Sequence, residues 1–400
     1  MPVKYNAIII RFGSEIGTKS PRVKVRYEKS ICDYIRRLLE HHSVSFEKLE
    51  YTYGRAYLFT NETSEASELL TRVFGISSFS PAISTTSDID QIADVCVSLA
   101  KEEFIPNATF AVRCRRVGTH PYTSLDVNRI VGERILSSLK DLNLKVDLEN
   151  PMYTMGIEIR EDKAFIFLET IEGPGGFPIG SQGRVVCLIS GGIDSPVAAW
   201  LMMRRGCIPV FLHFDLGDFG DKRTRDKVTR LVRKLSEWMF NTPLRVYIVP
   251  HGENLQEIKD KCMDNLTCVL CKRVMYRVAE RIAEMEGAVA IVTGEAIGEQ
   301  ASQTLHNLAV IEEATKGVPV IRPLVTFEKV ETERLARRIG TYEISAEEEK
   351  GCAAAPKRPS TRARMGVVLK EEQKLDIERM VEIALERAEK FEIKYGNGDN

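Results

Sequence analysis

The sequence has no run of about eighteen apolar residues, so it offers no membrane-spanning helix. Its opening, MPVKYNAIIIRFGSE, has no apolar signal core before a small-residue cleavage site. The expectation is a cytoplasmic chain with no membrane partner that begins on a strand. An excess of one charge is also missing. The net charge of −1 excludes a polycation, so any nucleic-acid contact must come from a local patch. An even cysteine framework is lacking: nine cysteines without a leader argue for reduced thiols rather than disulfides. There is no glycine loop closed by Gly-Lys-Ser/Thr, which excludes a Walker A site, and no long internal repeat.

What is present is a soluble balance, 44% hydrophobic and 28% charged, over 400 residues, enough for two or three domains. Ala7–Arg11 reads as a strand and Tyr27–Glu40 as a helix on Ile31, Ile35, Leu38 and Leu39. Two strands fill Phe46–Thr60 around a Gly54-Arg55 turn, and a helix covers Ser64–Val73. A second unit begins near Gly75, with helix Gln91–Phe104, strand Thr109–Arg115, helix Leu125–Leu139 capped by Ser124, and two strands in Ile157–Leu168. Five glycines and two prolines in GPGGFPIGSQG (173–183) exclude helix and strand and mark a linker.

Beyond it the rhythm becomes strand–helix: Val185–Ile189, Pro196–Arg204, Pro209–His213, Arg223–Phe240, Arg245–Pro250, Lys272–Met285 and Ala288–Thr293. That alternation predicts a doubly wound parallel sheet. A charged helix follows Lys370 and frays in GNGDN.

The most specific stretch is VVCLISGGIDSPVAAW (185–200). An apolar strand runs into Ser190-Gly191-Gly192-Ile193-Asp194-Ser195, and a helix is expected from Pro196, proline being favoured at a first helical position. Glycines let backbone approach an anion, and free N–H groups at a helix start favour phosphate. Asp194 repels a bare phosphate and makes sense if it holds Mg2+ or positions a reacting group. A glycine turn joining strand to helix is the plainer reading, and SGGxDS after a buried strand is too specific for it.

The loop resembles the pyrophosphate loop of the adenine-nucleotide α-hydrolase group, which cleaves ATP between the α and β phosphates. GGFPIGSQGRVVCLISGGIDSPVAAW, TGEAIGEQASQTLHNL (293–308) and RPLVTFEKVE (322–331) together resemble the catalytic domain of the tRNA 4-thiouridine synthetase (tRNA sulfurtransferase) family. FAVRCRRVGTHPYTSLDVNRIVG (110–132) resembles that family's THUMP domain, and IIIRFGSE its N-terminal ferredoxin-like domain. The resemblance implies an α+β ferredoxin-like domain (1–73), an α/β THUMP domain (74–172) and a doubly wound α-hydrolase-like domain (173–395). It implies ATP contacts at Leu188, Ile189, Ser190, Gly191, Gly192, Asp194, Ser195, His213, Phe214, Lys272, Gly294 and Gln303. By themselves His213 reads equally as a core histidine and Lys272 as a solvated helix charge.

Cys268 and Cys271 form a CxxC just before a helix, where three-residue spacing puts both sulfurs on one side of a turn. The helix start and Lys272-Arg273 are expected to lower their pKa. Cys352, in GCAAAPKRPSTRAR, completes a set of three in polar, loop-like settings. Cys32, Cys96, Cys187 and Cys207 read as buried, and Cys114 and Cys262 fit either class. A CxxC also suits a zinc half-site or a dithiol, though a four-thiolate zinc site lacks a fourth candidate. The resemblance offers two roles for the three: iron–sulfur ligands, as in members without a rhodanese domain, or a persulfide or disulfide relay. This sequence shows no rhodanese segment, which favours the cluster.

Arg113, Arg115, Arg116, His120 and Arg129, with Arg134, Lys140 and Lys145, form a local basic excess against Asp126, Glu133 and Asp141. It suits phosphate contacts with RNA, or a solvated face, and the THUMP resemblance favours RNA. Lys222–Lys234 and Lys357–Arg364 are further basic stretches.

The expected reaction is attack of a tRNA uracil O4, at position eight by resemblance, on the α-phosphate of ATP. Sulfur then displaces AMP. Asp194 assists adenylation, and Cys268, Cys271 and Cys352 handle the sulfur. The donor is free sulfide or a cysteine desulfurase, and family members are often homodimers. Thiolation of another base, a sulfur step toward the thiamine thiazole, and non-catalytic tRNA binding compete with this reading.

Overall fold

The computed structural model describes residues 4–52 and 54–396. They divide into two compact units, Met1–Pro178 and Ile179–Asn400. Among the described residues no helix is long and apolar enough to cross a membrane.

In the first unit the strands are β1 (Ala7–Phe12), β2 (Lys48–Thr52), β3 (Arg55–Phe59), β4 (Ile76–Thr86), β5 (Thr109–Val117), β6 (Lys145–Val146), β7 (Tyr153–Arg160), β8 (Lys163–Phe167) and β9 (Ile171–Glu172). They form one sheet in the order β2-β3-β1-β4-β8-β7-β5-β6, with β9 also on β4. Sequence reading misses β4, an eleven-residue strand that pairs with β1 at one end and β8 at the other. Its run of Ser and Thr hides the two-residue alternation. The helix read as Tyr27–Glu40 extends over Pro21–His41 and buries Tyr27, Ile31, Ile35, Leu38 and Leu39. The helix Ser124–Ser138 is capped by Thr123, not Ser124; Thr123 and Asp126 form a reciprocal capping box.

In the second unit β10 (Arg184–Leu188), β11 (Ile208–Asp215), β12 (Leu244–Pro250), β13 (Ala288–Val292), β14 (Val320–Ile321) and β15 (Glu389–Ile393) lie in the order β14-β13-β10-β11-β12-β15. All neighbours are parallel except β12 and β15. The charged tail is therefore two helices, Met365–Glu372 and Ile377–Glu386, followed by an antiparallel edge strand. Most of the GNGDN expected to fray lies outside the described residues. Val210, Leu212 and Phe214 of β11 face Val278, Ile282 and Ala283 of the helix Thr267–Glu286 in one core cluster. Fully burying such side chains contributes about 1.5–3 kcal/mol each.

From β10 the chain moves outward through β11 and β12, then returns to the other side of β10 for β13 and β14. This reversal opens a crevice beyond the carboxyl ends of β10 and β13, where ligands bind in sheets of this kind.

Candidate functional site

A cavity of about 790 Å³ lies at that crevice. Its walls include Leu188, Ile189, Ser190, Gly191, Gly192, Asp194, Ser195, His213, Phe214, Lys272, Gly294 and Gln303, bringing together every residue expected to contact ATP. Cys352 is on the same wall, whereas Cys268 and Cys271 are not.

The loop after β10 braces itself. The Ser190 N–H donates to Ser195 Oγ at 2.9 Å, and the Gly192 N–H to Ser190 Oγ at 3.3 Å. The two hydroxyls thus hold the turn's shape. The helix starts at Asp194 rather than Pro196. Pro196 is the third helical residue, still in the turn where no intrahelical N–H partner is lost. A β-carbon at Gly294 would stand 2.8 Å from the Asp194 carbonyl carbon and the Ser195 nitrogen, so only glycine lets the β13 loop close against this turn.

Burial, and then the charge of Glu299, raise the Asp194 carboxyl to about 6, opposed by Lys329. A carboxyl so destabilised as an anion gains from a cation beside it. The Nδ1–H of buried His213 donates to the Ile189 carbonyl at 3.0 Å, leaving Nε2 as the acceptor, and burial lowers the ring's pKa. Buried Gln303 keeps an amide oxygen with no hydrogen-bond partner among the described residues. Lys272 is no solvated charge: its ammonium meets Glu295 at 2.7 Å. Glu295 also accepts from Tyr276 at 2.7 Å, Arg322 at 3.0 Å and Thr293 at 3.1 Å. Sequence reading passed over Glu295 although it follows Gly294 directly at the end of β13. It passed over Tyr276 and Arg322 because nothing local marks them.

The cysteines correct two expectations. Cys268 and Cys271 are inside the helix Thr267–Glu286, in its first turns, and Cys271 belongs to an apolar core cluster. Their pKa values are raised, not lowered. Burial dominates, and the nearby cations are already committed. Lys272 holds Glu295, and fully buried Arg273 holds Glu372 at 2.9 Å and Glu313 at 2.8 Å. His251 Nε2 lies 3.3 Å from Cys271 Sγ, and burial lowers this histidine to about 4. The three thiols still lie near one another: after burial, Cys352 adds to the upward shift of both Cys268 and Cys271, and Cys268 adds to that of Cys271. Cys32, Cys96, Cys187 and Cys207 are buried as read, and Cys114 and Cys262 are half-buried. Iodoacetamide at about pH 8 is expected to modify exposed Cys352 at least roughly ten times faster than Cys271, read by peptide mass mapping. Comparable rates at the two thiols would contradict the burial of Cys271.

In the first unit, strand alternation puts exposed Arg113 and Arg115 on one face of β5 and Cys114 and Arg116 on the other. Arg116 donates to the Gly118 carbonyl at 2.8 Å and pairs with His120 Nδ1 at 3.1 Å, which ties the end of β5 to the turn after it. Arg129 is exposed on the following helix. Arg134 is neutralised by Asp90 at 2.6 Å and Asp94 at 3.2 Å, two acids a sequence window around Arg134 does not include. Most of Lys222–Lys234 is likewise paired: Arg223 with Asp221, Arg225 with Glu389, Lys227 with Glu349, and Arg230 with Glu347. Lys357, Arg358, Arg362 and Arg364 are exposed.

Comparison with known proteins gives a consistent result. Family models match at residues 7–80 (ThiI ferredoxin-like domain), 86–169 (THUMP domain) and 180–377 (thiamine biosynthesis protein, ThiI). A probable tRNA sulfurtransferase of Methanosarcina mazei is 37% identical, covering 96% of this chain and 94% of that one. One of Saccharolobus islandicus is 40% identical, covering 96% and 100%. The crystal structure of a 4-thiouridine synthetase–RNA complex with bound ATP superposes with a TM-score of 0.85 at 34% identity, covering 98% of this chain and 100% of that one.

Proposed function

The chain belongs to the ThiI family, and we propose that it is an ATP-dependent tRNA sulfurtransferase that makes 4-thiouridine. The observation that carries this reading is the cavity at the sheet's switch point, walled by Ser190, Gly191, Gly192, Asp194 and Ser195 of the loop after β10, with Cys352 beside them. In the proposed division, 1–73 and 74–172 together hold tRNA, the second through Arg113, Arg115, Arg116, His120 and Arg129, and 173–395 carries out the chemistry, in the cytoplasm.

ATP takes the cavity, with its phosphates on the loop after β10 and with Lys272 and Gly294 beside it. The unpaired Gln303 oxygen accepts from the adenine amino group. Uracil O4 of the position-eight nucleotide attacks the α-phosphorus. A new P–O bond forms there as the bond to the β-phosphate oxygen breaks, giving an O4-adenylated base and pyrophosphate. Mg2+ on the Asp194 carboxylate would neutralise the leaving charge. Free sulfide held at the cysteine site would form the C4–S bond directly as AMP leaves. Sulfur from a cysteine desulfurase would arrive as a persulfide on one cysteine and attack C4 as AMP leaves, and a second cysteine would then break the S–S bond, closing a disulfide that supplies the two electrons and freeing the 4-thiouridine.

No three His, Cys, Asp or Glu among the described residues stand close enough to share one metal ion. A cubane cluster asks for something else, one thiolate per iron, and in this reading Cys268, Cys271 and Cys352 would supply three of them. Bound there, a cluster would offer sulfide at the iron that no cysteine holds.

The test is anaerobic purification, reconstitution with iron and sulfide, and incubation with unmodified tRNA, Mg-ATP and a sulfide source, followed by nucleoside mass spectrometry. 4-Thiouridine that forms in the wild type and vanishes in Cys271→Ala is the expected result. Equal yields without iron would replace the cluster by a thiol relay through the same cysteines. If AMP and pyrophosphate appear without any thiolated nucleoside, the target base or the donor is wrong. Bound tRNA with neither product would leave a binding protein.

A further inference from the structure

We propose that Lys227 is a ligand of the ATP phosphates and that Glu349 is its stand-in counter-ion, seated on the phosphate loop until nucleotide displaces it. This assignment rests on the ATP-site reading and deepens it.

Lys227 belongs to the helix Thr224–Ser236, and its side chain is only 5% exposed. Its ammonium donates to Glu349 Oε2 at 3.2 Å and to the Glu347 carbonyl at 2.8 Å. The other Glu349 oxygen accepts from the Thr224 hydroxyl. Both side chains press on the loop after β10. A β-carbon at Gly191 would meet Glu349 Oε2 at 2.1 Å and Lys227 Cδ at 3.1 Å. The carboxylate therefore sits against the bare backbone at Gly191, beside the loop and helix start proposed to receive the phosphates.

A carboxylate and a polyphosphate cannot share that seat, because like charges at contact repel strongly at low dielectric. Lys227, in turn, is too buried to be left without an anion. Exchange satisfies both: phosphate takes the ammonium, and Glu349 swings out. Glu349 is suited to leaving. It is 25% exposed and sits in a segment, 348–352, without regular structure. Glu347, held to Arg230 at 2.7 Å, anchors that segment at one end. Cys352, on the cavity wall, lies three residues beyond Glu349, so eviction of the carboxylate reaches the cysteine expected to handle sulfur.

The experiment is equilibrium binding of ATP and, separately, adenosine to the full chain by calorimetry. Glu349→Gln removes the competing charge and leaves Lys227 in place. It is expected to tighten ATP about tenfold while adenosine is unchanged. Lys227→Met is expected to weaken ATP about tenfold or more, again with adenosine unchanged. ATP affinity that stays the same or falls in Glu349→Gln overturns the assignment, as does equal loss of ATP and adenosine in Lys227→Met. If Lys227→Met does not fold, the Glu349→Gln result decides alone. A wild-type chain that binds no ATP would instead sink the ATP-site reading.

Discussion

Asp194→Asn is expected to lower 4-thiouridine formation by about 100-fold or more, the scale of removing one electrostatic contact that acts on the transition state. The substitution keeps the side chain's shape and removes only its charge, so the loop braced by Ser190 and Ser195 should persist. The pH profile separates this role from a structural one. The Asp194 carboxyl is raised to about 6 by burial and by Glu299. Proton and cation compete for this carboxylate, so the wild-type rate should fall at acid pH as the carboxyl takes up a proton, and raising Mg2+ should move that fall to lower pH. In Asp194→Asn that limb should vanish from the residual rate. Measuring initial rates by nucleoside analysis from about pH 5 to 8 decides it. A variant within tenfold of wild type, or one that keeps the acid limb, would remove Asp194 from the chemistry.

Glu295→Ala is expected to cost about 3–5 kcal/mol, the scale of removing one partner from a buried ion cluster. Its carboxylate is the shared anion of Lys272 and Arg322 and also accepts from Tyr276 and Thr293. Burial alone would raise its pKa, but these partners outweigh it and hold the group down to about 2. The sign follows from linkage. A carboxyl depressed in the folded state lends stability above its unfolded value near 4.3, and that stability drains away as pH falls toward about 2. Denaturant melts of Glu295→Gln should therefore be flatter than wild type between roughly pH 4 and 2. A loss below about 1 kcal/mol for Glu295→Ala at neutral pH would show the cluster to be replaceable by solvent.

Much of the site was legible before any coordinates. SGGIDS between an apolar strand and a helix is a local signal, and every residue assigned to ATP from its resemblance lies on one cavity wall. Boundaries were less legible. The helix start at Asp194, the Thr123 cap and the β4 strand depend on backbone angles and pairing partners that composition does not reveal. The thiols were misjudged for a related reason. Cys268 and Cys271 look polar beside Lys272 and Arg273, but those cations turn to Glu295, Glu372 and Glu313, leaving burial to raise the pKa of both sulfurs.

The sequence by itself determined the alternation of strand and helix and the glycine turn, because each depends on neighbours a few positions away, while the candidate nucleotide residues came from the family resemblance. Only the tertiary structure decided which charges are free. Arg134 meets Asp90, Lys227 meets Glu349 and Lys272 meets Glu295 across 44, 122 and 23 positions of chain. Coulomb attraction depends on separation in space and on the surrounding dielectric, and folding alone sets both.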